Sequence, residues 1–442
     1  MIIIKRFMRG LFGALVILAG VFAGFWVFAP ASYKAGALRA MHWGRQQAVK
    51  YDLISGSEVT NIRQIMTKDM SRSRTIMWQS DGKEEKPAVE YRLAGKGDVQ
   101  SVSASEEKME DGKEITYIHT AYLTNLTPNQ KYEYRIRYGN KAGEWKKLAT
   151  PQADTFKAII FPDSQCSDYS VWGNTAAAAW KKAPDARFFV NMGDLVDNGE
   201  DPYQWNQWFK YALPFIEQIP VAPVMGNHET YTLDWKVRRP LAYMKLFHVP
   251  DNGYKAYPNR FYSYDIGEVH FVVLDTMNRE MEELEPSLLA DEQAWFKKDM
   301  AQNKKKFNVV LMHKDPLQYA FNPASGRPAT RKEGFSEEGR EWMPLFDEYG
   351  IDLVLSAHLH TYRNRGLIRN FQRAQQGPLY ILTGLAGNVQ YPNLWKQHSL
   401  DVVVAPQPDT TNYIILEKKA DSLHLTSYLP DGKVIDEAEI KK

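Results

Sequence analysis

Beyond Phe156 the chain alternates two textures. Short continuous apolar runs, KAIIFP, RFFVNM, VAPVM, VHFVVLD, NVVLM, DLVLS and LYILT, read as strands of a sheet covered on both faces. Between them, NTAAAAWKKA, ADEQAWFKKDMAQNKK and EEGREWMPLFDEYG have helical composition and spacing. This alternation predicts an α/β core with layered β-α-β connections over 156–442. Its tail, TNYIILEKK, SLHLTSYL and KVIDEAEI, returns to alternating strands, with a turn at Pro430-Asp431-Gly432. Upstream, over 51–155, the segments RTIMWQS, AVEYRLA, HTAYLTNL and KYEYRIRY alternate apolar and polar residues around short turns. They predict a small antiparallel all-β sandwich, in which no polar constellation stands out.

The first 31 residues have a different pattern. Lys5, Arg6 and Arg9 precede LFGALVILAGVFAGFWVFAPA, and no charge occurs until Lys34. A basic flank before an apolar run of this length predicts a signal peptide or a membrane-anchoring helix. It also predicts an extracytoplasmic location, anchored, secreted or periplasmic, for the residues beyond the run. Ala29-Pro30-Ala31 resembles a cleavage site, so both forms stay open. Residues 32–50 read as a helix or linker.

Composition narrows the classes. With 44% hydrophobic and 24% charged residues, the chain is that of a folded protein. A formal net charge of +2 does not point to a nucleic-acid partner. Cys166 is the single cysteine, which excludes an intrachain disulfide and a thiolate zinc site.

The chemistry lies in five polar clusters, each just after an apolar run: Asp163-Ser164-Gln165, Gly193-Asp194-Leu195-Val196-Asp197, Gly226-Asn227-His228-Glu229, His313, and His358-Leu359-His360. At the carboxyl ends of neighbouring parallel strands such residues converge on one crevice. Carboxylate, amide and imidazole donors suit two metal ions drawn from manganese, zinc and iron. Asp194 is the expected bridge. Asp163 and His360, with Gln165 as a weaker neutral option, would complete one site; Asn227, His313 and His358 would complete the other. His358 and His360 can serve different ions only if the local turn bends both toward one crevice. Such a pair neutralises phosphate charge and lowers the pKa of a bound water, giving a hydroxide that hydrolyses a phosphate ester. His228 is the expected general acid for the leaving group, with Asn227 helping to hold the phosphate. Glu229 either orients that imidazole or sits in a salt bridge. Tyr231 and Arg363 are candidate substrate contacts, Arg363 through its fork of donors.

The order GDLVD, GNHE, His313 and HLHTY resembles that of the calcineurin-like metallophosphoesterase superfamily. FYSYDIGEVHFVVLDT and LTNLTPNQKYEYRIRYG extend the resemblance to the purple acid phosphatase-like branch, with its fibronectin type III-like N-terminal domain. The resemblance implies a four-layer α/β sandwich, a two-metal centre and an acid phosphatase-like activity on a phosphorylated substrate. It also implies that Leu126 and Tyr132 or Tyr134 pack in the core of the small domain. Three positions depart from the pattern. Gln165 stands where a metal-binding His is usual. Asp197 stands where a Tyr gives the ferric colour, so no tyrosinate-to-iron colour is expected. Ala357 replaces a Gly before the histidine pair. Two alternatives remain open: a phosphodiesterase or nucleotidase of the same fold, and a catalytically weak surface binding protein.

Overall fold

The computed structural model describes residues 29–442, apart from 52, 55, 57, 112–113, 152–153 and 408–409. The apolar run expected to act as signal or anchor falls largely outside the described residues. Among those described, no helix is long and apolar enough to cross a membrane. Ala31–Lys50 forms a helix of 20 residues, begun after Pro30, where a fixed φ suits a helix start.

Residues Ile54–Lys442 form a second compact unit, built on two large sheets. All seven apolar runs are strands. Phe156–Phe161, Phe188–Asn191 and Val221–Pro223 pair in parallel in one sheet. Val269–Val273, Phe307–Leu311, Leu353–Ser356 and Leu379–Thr383 pair in parallel in the other. Alternation of side chains along a strand explains how both faces are used. Phe188 meets Phe271 and Tyr264 of the second sheet at ring-centroid distances of 5.6 and 6.0 Å. Its neighbour Phe189 points the other way, 4.8 Å from Phe215 on the helix Pro202–Ile216. On the far side of the second sheet, Asp299 of the helix Leu288–Asn303 takes hydrogen bonds from Ser263 and His270 at 2.9 and 2.8 Å. The layers are therefore helix, sheet, sheet, helix.

The three expected helices are present, as Tyr169–Lys182, Leu288–Asn303 and Glu337–Tyr349. Pro202–Ile216 is an additional one. Its buried Trp205, Trp208, Phe209, Ala212, Phe215 and Ile216 keep helical spacing, but Pro214 in its last turn masks the pattern. Asp201 caps it by accepting from the Tyr203 amide at 3.1 Å. The tail strands Tyr413–Lys419, Ser422–Tyr428 and Val434–Lys441 extend the first sheet in antiparallel fashion.

The β-region is a sandwich with its own core, in which Trp78, Leu126, Tyr132 and Tyr134 are buried together. The Tyr132 hydroxyl accepts from the Thr127 amide at 3.0 Å. The sandwich is not free-standing, however. Its strand Thr60–Ile65 runs parallel to Val221–Pro223, with Ile65 opposite Val221, so one ten-stranded sheet passes through both regions. Tyr134 and Gln64 each donate to the Glu217 carbonyl at 2.9 Å. A two-pronged ion pair of Arg238 with Asp111 adds a further tie.

The sandwich also holds a polar cluster that local spacing did not reveal. His119 stacks on Trp78 at 5.1 Å and shares a hydrogen bond with Ser80 at 2.8 Å, while the Trp78 indole donates to Glu84 at 3.2 Å. Burial pushes the Glu84 carboxyl up to about 7 and the His119 imidazole down to about 4. A carboxyl raised from its ordinary 4.5 gives stability that is full below pH 4.5 and lost as pH rises through about 7. Glu84→Gln keeps the acceptor and removes the titration. Its stability relative to the parent is predicted to rise by about 1 kcal/mol between pH 4.5 and pH 8, allowing for solvent screening. Urea melts at the two pH values check this, and an unchanged difference would remove Glu84 from the linkage.

Candidate metal centre

Because the two sheets stack face to face, the loops at the carboxyl ends of their strands meet. Three come from the first sheet, carrying Asp163, Asp194 and Asn227-His228; two come from the second, carrying His313 and His358-Leu359-His360. Ligand atoms of Asp194, His313 and His358 lie within 4.8 Å of one another, and so do those of Asp163, Asp194 and His360. Asp194 is shared by both groups. His358 and His360 both take left-handed backbone, with φ of 73° and 53°, so successive reversals of the chain deliver one imidazole to each group. The His358 amide donates to both Asp163 oxygens at 3.1 and 3.2 Å, which fixes this turn on the first loop.

Close approach needs two glycines. A Cβ on Gly226 would lie 2.2 Å from Asp194 Oδ1, and one on Gly193 would lie 2.3 Å from His313 Nδ1 at a φ of 101°. His313 Nδ1 faces the Met192 carbonyl at 2.9 Å, and His360 Nδ1 faces the Val389 carbonyl. A carbonyl only accepts, so each ring donates from Nδ1 and turns Nε2 inward, the arrangement that orients metal-binding histidines. Asn227 Oδ1 lies 3.2 Å from His313 Nε2 and adjoins the second group. Gln165 is fully buried, and both its amide atoms lack a hydrogen-bond partner. An orphaned buried amide two residues from Asp163 fits a centre that takes a cation.

The electrostatics agree with that fit. Burial would raise the Asp194 carboxyl, but His313, His228 and His358 hold it well below the usual carboxylate range. Burial opposes charge on His313, yet Asp194 and Asp163 raise it to about 9. His358 is held low by burial and by His313. A metal ion would compete with protons for these groups, so its binding would depend on pH.

Glu229 does neither of the things anticipated for it. It accepts from the amides of Asp194, Leu195, Val196 and Gly226 at 3.0, 2.9, 3.3 and 2.7 Å. Burial and the nearby Asp194 charge push its carboxyl up to about 7. The His228 ring is oriented instead by Asp197, whose carbonyl accepts from Nδ1 at 2.7 Å. Nothing in the sequence distinguished that carbonyl.

Tyr231 packs edge-on to His228 at 5.8 Å and so lies at the centre. Arg363 does not fulfil its expected role. It is buried, with its charge 3.7 Å from Asp401 and its Nη1 bonded to the Tyr362 carbonyl. A strand position facing the interior explains why its fork is already engaged. Tyr362 likewise packs inside, donating to Asp436 at 2.8 Å. Sequence reasoning missed Tyr391, which stacks on His360 at 4.8 Å, and Trp235, 5.7 Å from His228. Both sit in loops, where no periodicity marks them.

Comparison with known proteins agrees with this geometry. The family model for calcineurin-like phosphoesterase matches residues 162–362, and that for the purple acid phosphatase N-terminal domain matches residues 59–151. Purple acid phosphatase 15 of Arabidopsis thaliana is 27% identical over 66% of this chain and 58% of its own length. Purple acid phosphatase 18 of the same plant is 24% identical over 71% of this chain and 68% of its own. The chain thus spans roughly three-fifths to two-thirds of the length of these relatives. The structure of a purple acid phosphatase from yellow lupin (Lupinus luteus) seeds superposes with a TM-score of 0.70 at 18% identity, covering 87% of this chain and 74% of that one. The chain thus carries a calcineurin-like phosphoesterase domain preceded by a purple acid phosphatase N-terminal domain. That family implies a dinuclear metal centre.

The Glu229 clasp generates a prediction. Glu229→Gln replaces one acceptor oxygen by a donor facing amide N–H groups and frees the Asp194 loop. Metal affinity is expected to fall 10- to 100-fold with every proposed ligand intact. Titration with manganese or zinc measures it, and unchanged affinity would show that the loop holds its shape without the clasp.

Proposed function

We propose that the protein is a binuclear metal-dependent hydrolase of phosphate esters. The observation that carries the reading is Asp194, one carboxylate common to two ligand groups. Asp163, Asp194, His360 and Gln165 would hold one ion; Asp194, Asn227, His313 and His358 would hold the other. The bound ions would supply charge neutralisation and an activated water. The matching of the chain to relatives named as phosphatases supports the same reaction class.

The protein's own groups do the rest. The Asn227 amide stands beside His313 and is placed to hold a phosphate oxygen. His228 is tied at Nδ1 by the Asp197 carbonyl, which leaves Nε2 as the nitrogen able to pass a proton to the leaving oxygen. Nε2 lies 4.0 Å from Asp194 Oδ2, so the acid stands at the edge of the ligand groups. By the resemblance Asp197 stands where a Tyr would give the colour, and its carboxylate lies 3.6 Å from His228 Nδ1. Iron-loaded protein is therefore predicted to lack a tyrosinate band in its visible spectrum; a purple band would place a tyrosine on the metal.

The basic flank at Lys5, Arg6 and Arg9, followed by an uncharged run, supports an extracytoplasmic setting. Protease digestion of spheroplasts against lysed cells tests it; protection in spheroplasts that lysis removes counts against it. For the reaction, two measurements suffice: metal content and hydrolysis of an aryl phosphate and an aryl phosphodiester. Near two metals per chain and chelator-sensitive turnover are expected. Asp194→Asn is predicted to lower kcat at least 100-fold and to lose metal, because the shared charge is gone. Near-normal turnover in that variant would remove Asp194 from the bridging role.

A further inference from the structure

Beside the proposed acid lies a feature that the hydrolytic reading does not use. The turn after His228 carries Trp235, 55% exposed. Its ring is 5.7 Å from His228 and 5.9 Å from Tyr231, and Tyr231 is 5.8 Å from His228, so three rings form one cluster. The turn is built to hold that position. Tyr231 bridges to Val237, Thr232 and Lys236 close the loop at 2.8 Å, and the Trp235 amide donates to Thr232 at 2.9 Å. Two anchors tie it to the preceding loop: Asn198 donates to the Thr232 carbonyl at 2.7 Å, and the Leu233 amide donates to Glu200 at 2.6 Å. Trp235 itself has a φ of 59°, a left-handed conformation that a bulky residue adopts at a cost. An indole that is half in water gives back little of that cost by its own burial.

The position of His228 gives the exposed ring a use. If Nε2 protonates the leaving oxygen, the alcohol part of the ester must lie on the His228 side, against Trp235. On this side the Asp197 carboxylate lies 3.6 Å from His228 Nδ1, which disfavours a leaving group with further negative charge there. We propose that Trp235, backed by Tyr231, is a leaving-group platform that selects phosphate monoesters of neutral alcohols carrying a planar ring, a nucleoside or an aryl group. The inference rests on the phosphoesterase reading and specifies its substrate class.

The test compares kcat/KM for adenosine monophosphate, phenyl phosphate and glycerol 3-phosphate in the metal-loaded parent, Trp235→Ala and Trp235→Phe. The intrinsic reactivity of each ester cancels when variant is divided by parent. Trp235→Ala is expected to reduce the ring-to-glycerol ratio about tenfold, the weight of one ring stack, mainly through KM. Trp235→Phe is expected to restore most of it. A drop for adenosine monophosphate alone assigns the platform to nucleosides; a drop for phenyl phosphate alone assigns it to aryl esters. Equal losses for all three substrates would make Trp235 a support for His228 and overturn the proposal. Equilibrium dialysis with adenosine separates the two readings. Saturable binding lost in Trp235→Ala, without turnover of any ester, keeps the ring site and removes the phosphoesterase. Turnover with an unaltered ratio and no adenosine binding does the reverse.

Discussion

One buried carboxylate holds the centre in shape. Glu229 takes four backbone amides from two loops, the one that carries Asp194 and the one that carries Asn227 and His228. Asp194 sits at a φ of 45°, backbone that a non-glycine residue keeps only when its surroundings fix it. Amide donors converging on one acceptor do so. The same clasp brings the Gly226 backbone so close to Asp194 that no side chain fits there. The ligand groups are thus set by main-chain hydrogen bonds before any ion is considered.

The sheets supply the second constraint. Strands such as Phe188–Asn191 are apolar on both faces because one face meets a helix and the other a second sheet. Stacking then forces five loops to one end of the sandwich, where they can share Asp194. Nothing about the ligands requires them to be near in sequence; Asp163 and His360 are joined by topology. The histidines are aimed by carbonyls of neighbouring loops, Met192 for His313 and Val389 for His360, so the aim of each ring depends on the packing of the whole end.

That explains why some features are legible in the chain and others are not. The apolar runs announce the seven strands that pair in parallel at the heart of the two sheets, and the polar residues just after them announce the positions that converge. A strand end followed by Asp, Asn or His is a local signal, and local signals survive in one dimension. The carbonyl beside His228 and the burial of Arg363 are not local. From the sequence Arg363 reads as an outward fork, because a strand's inward positions are known only once its sheet is placed. Glu229 reads by its neighbour His228, whereas three of its four amide partners are 33 to 35 residues away. The helix Pro202–Ile216 is hidden by one proline, and the buried Ser80, Glu84 and His119 by their spread over separate segments.

The parallel contact between Ile65 and Val221 has a consequence for how the molecule can be cut. Val221–Pro223 leads directly into the loop of Asn227, His228 and Glu229. On one side it is zipped to Phe188–Asn191; on the other it is shielded by a strand of the sandwich. Without that shield it becomes a bare edge, open to pairing with another chain. The small β-region thus serves as a lateral seal for the first sheet, and the seam between them runs beside the loop that carries Asn227 and His228.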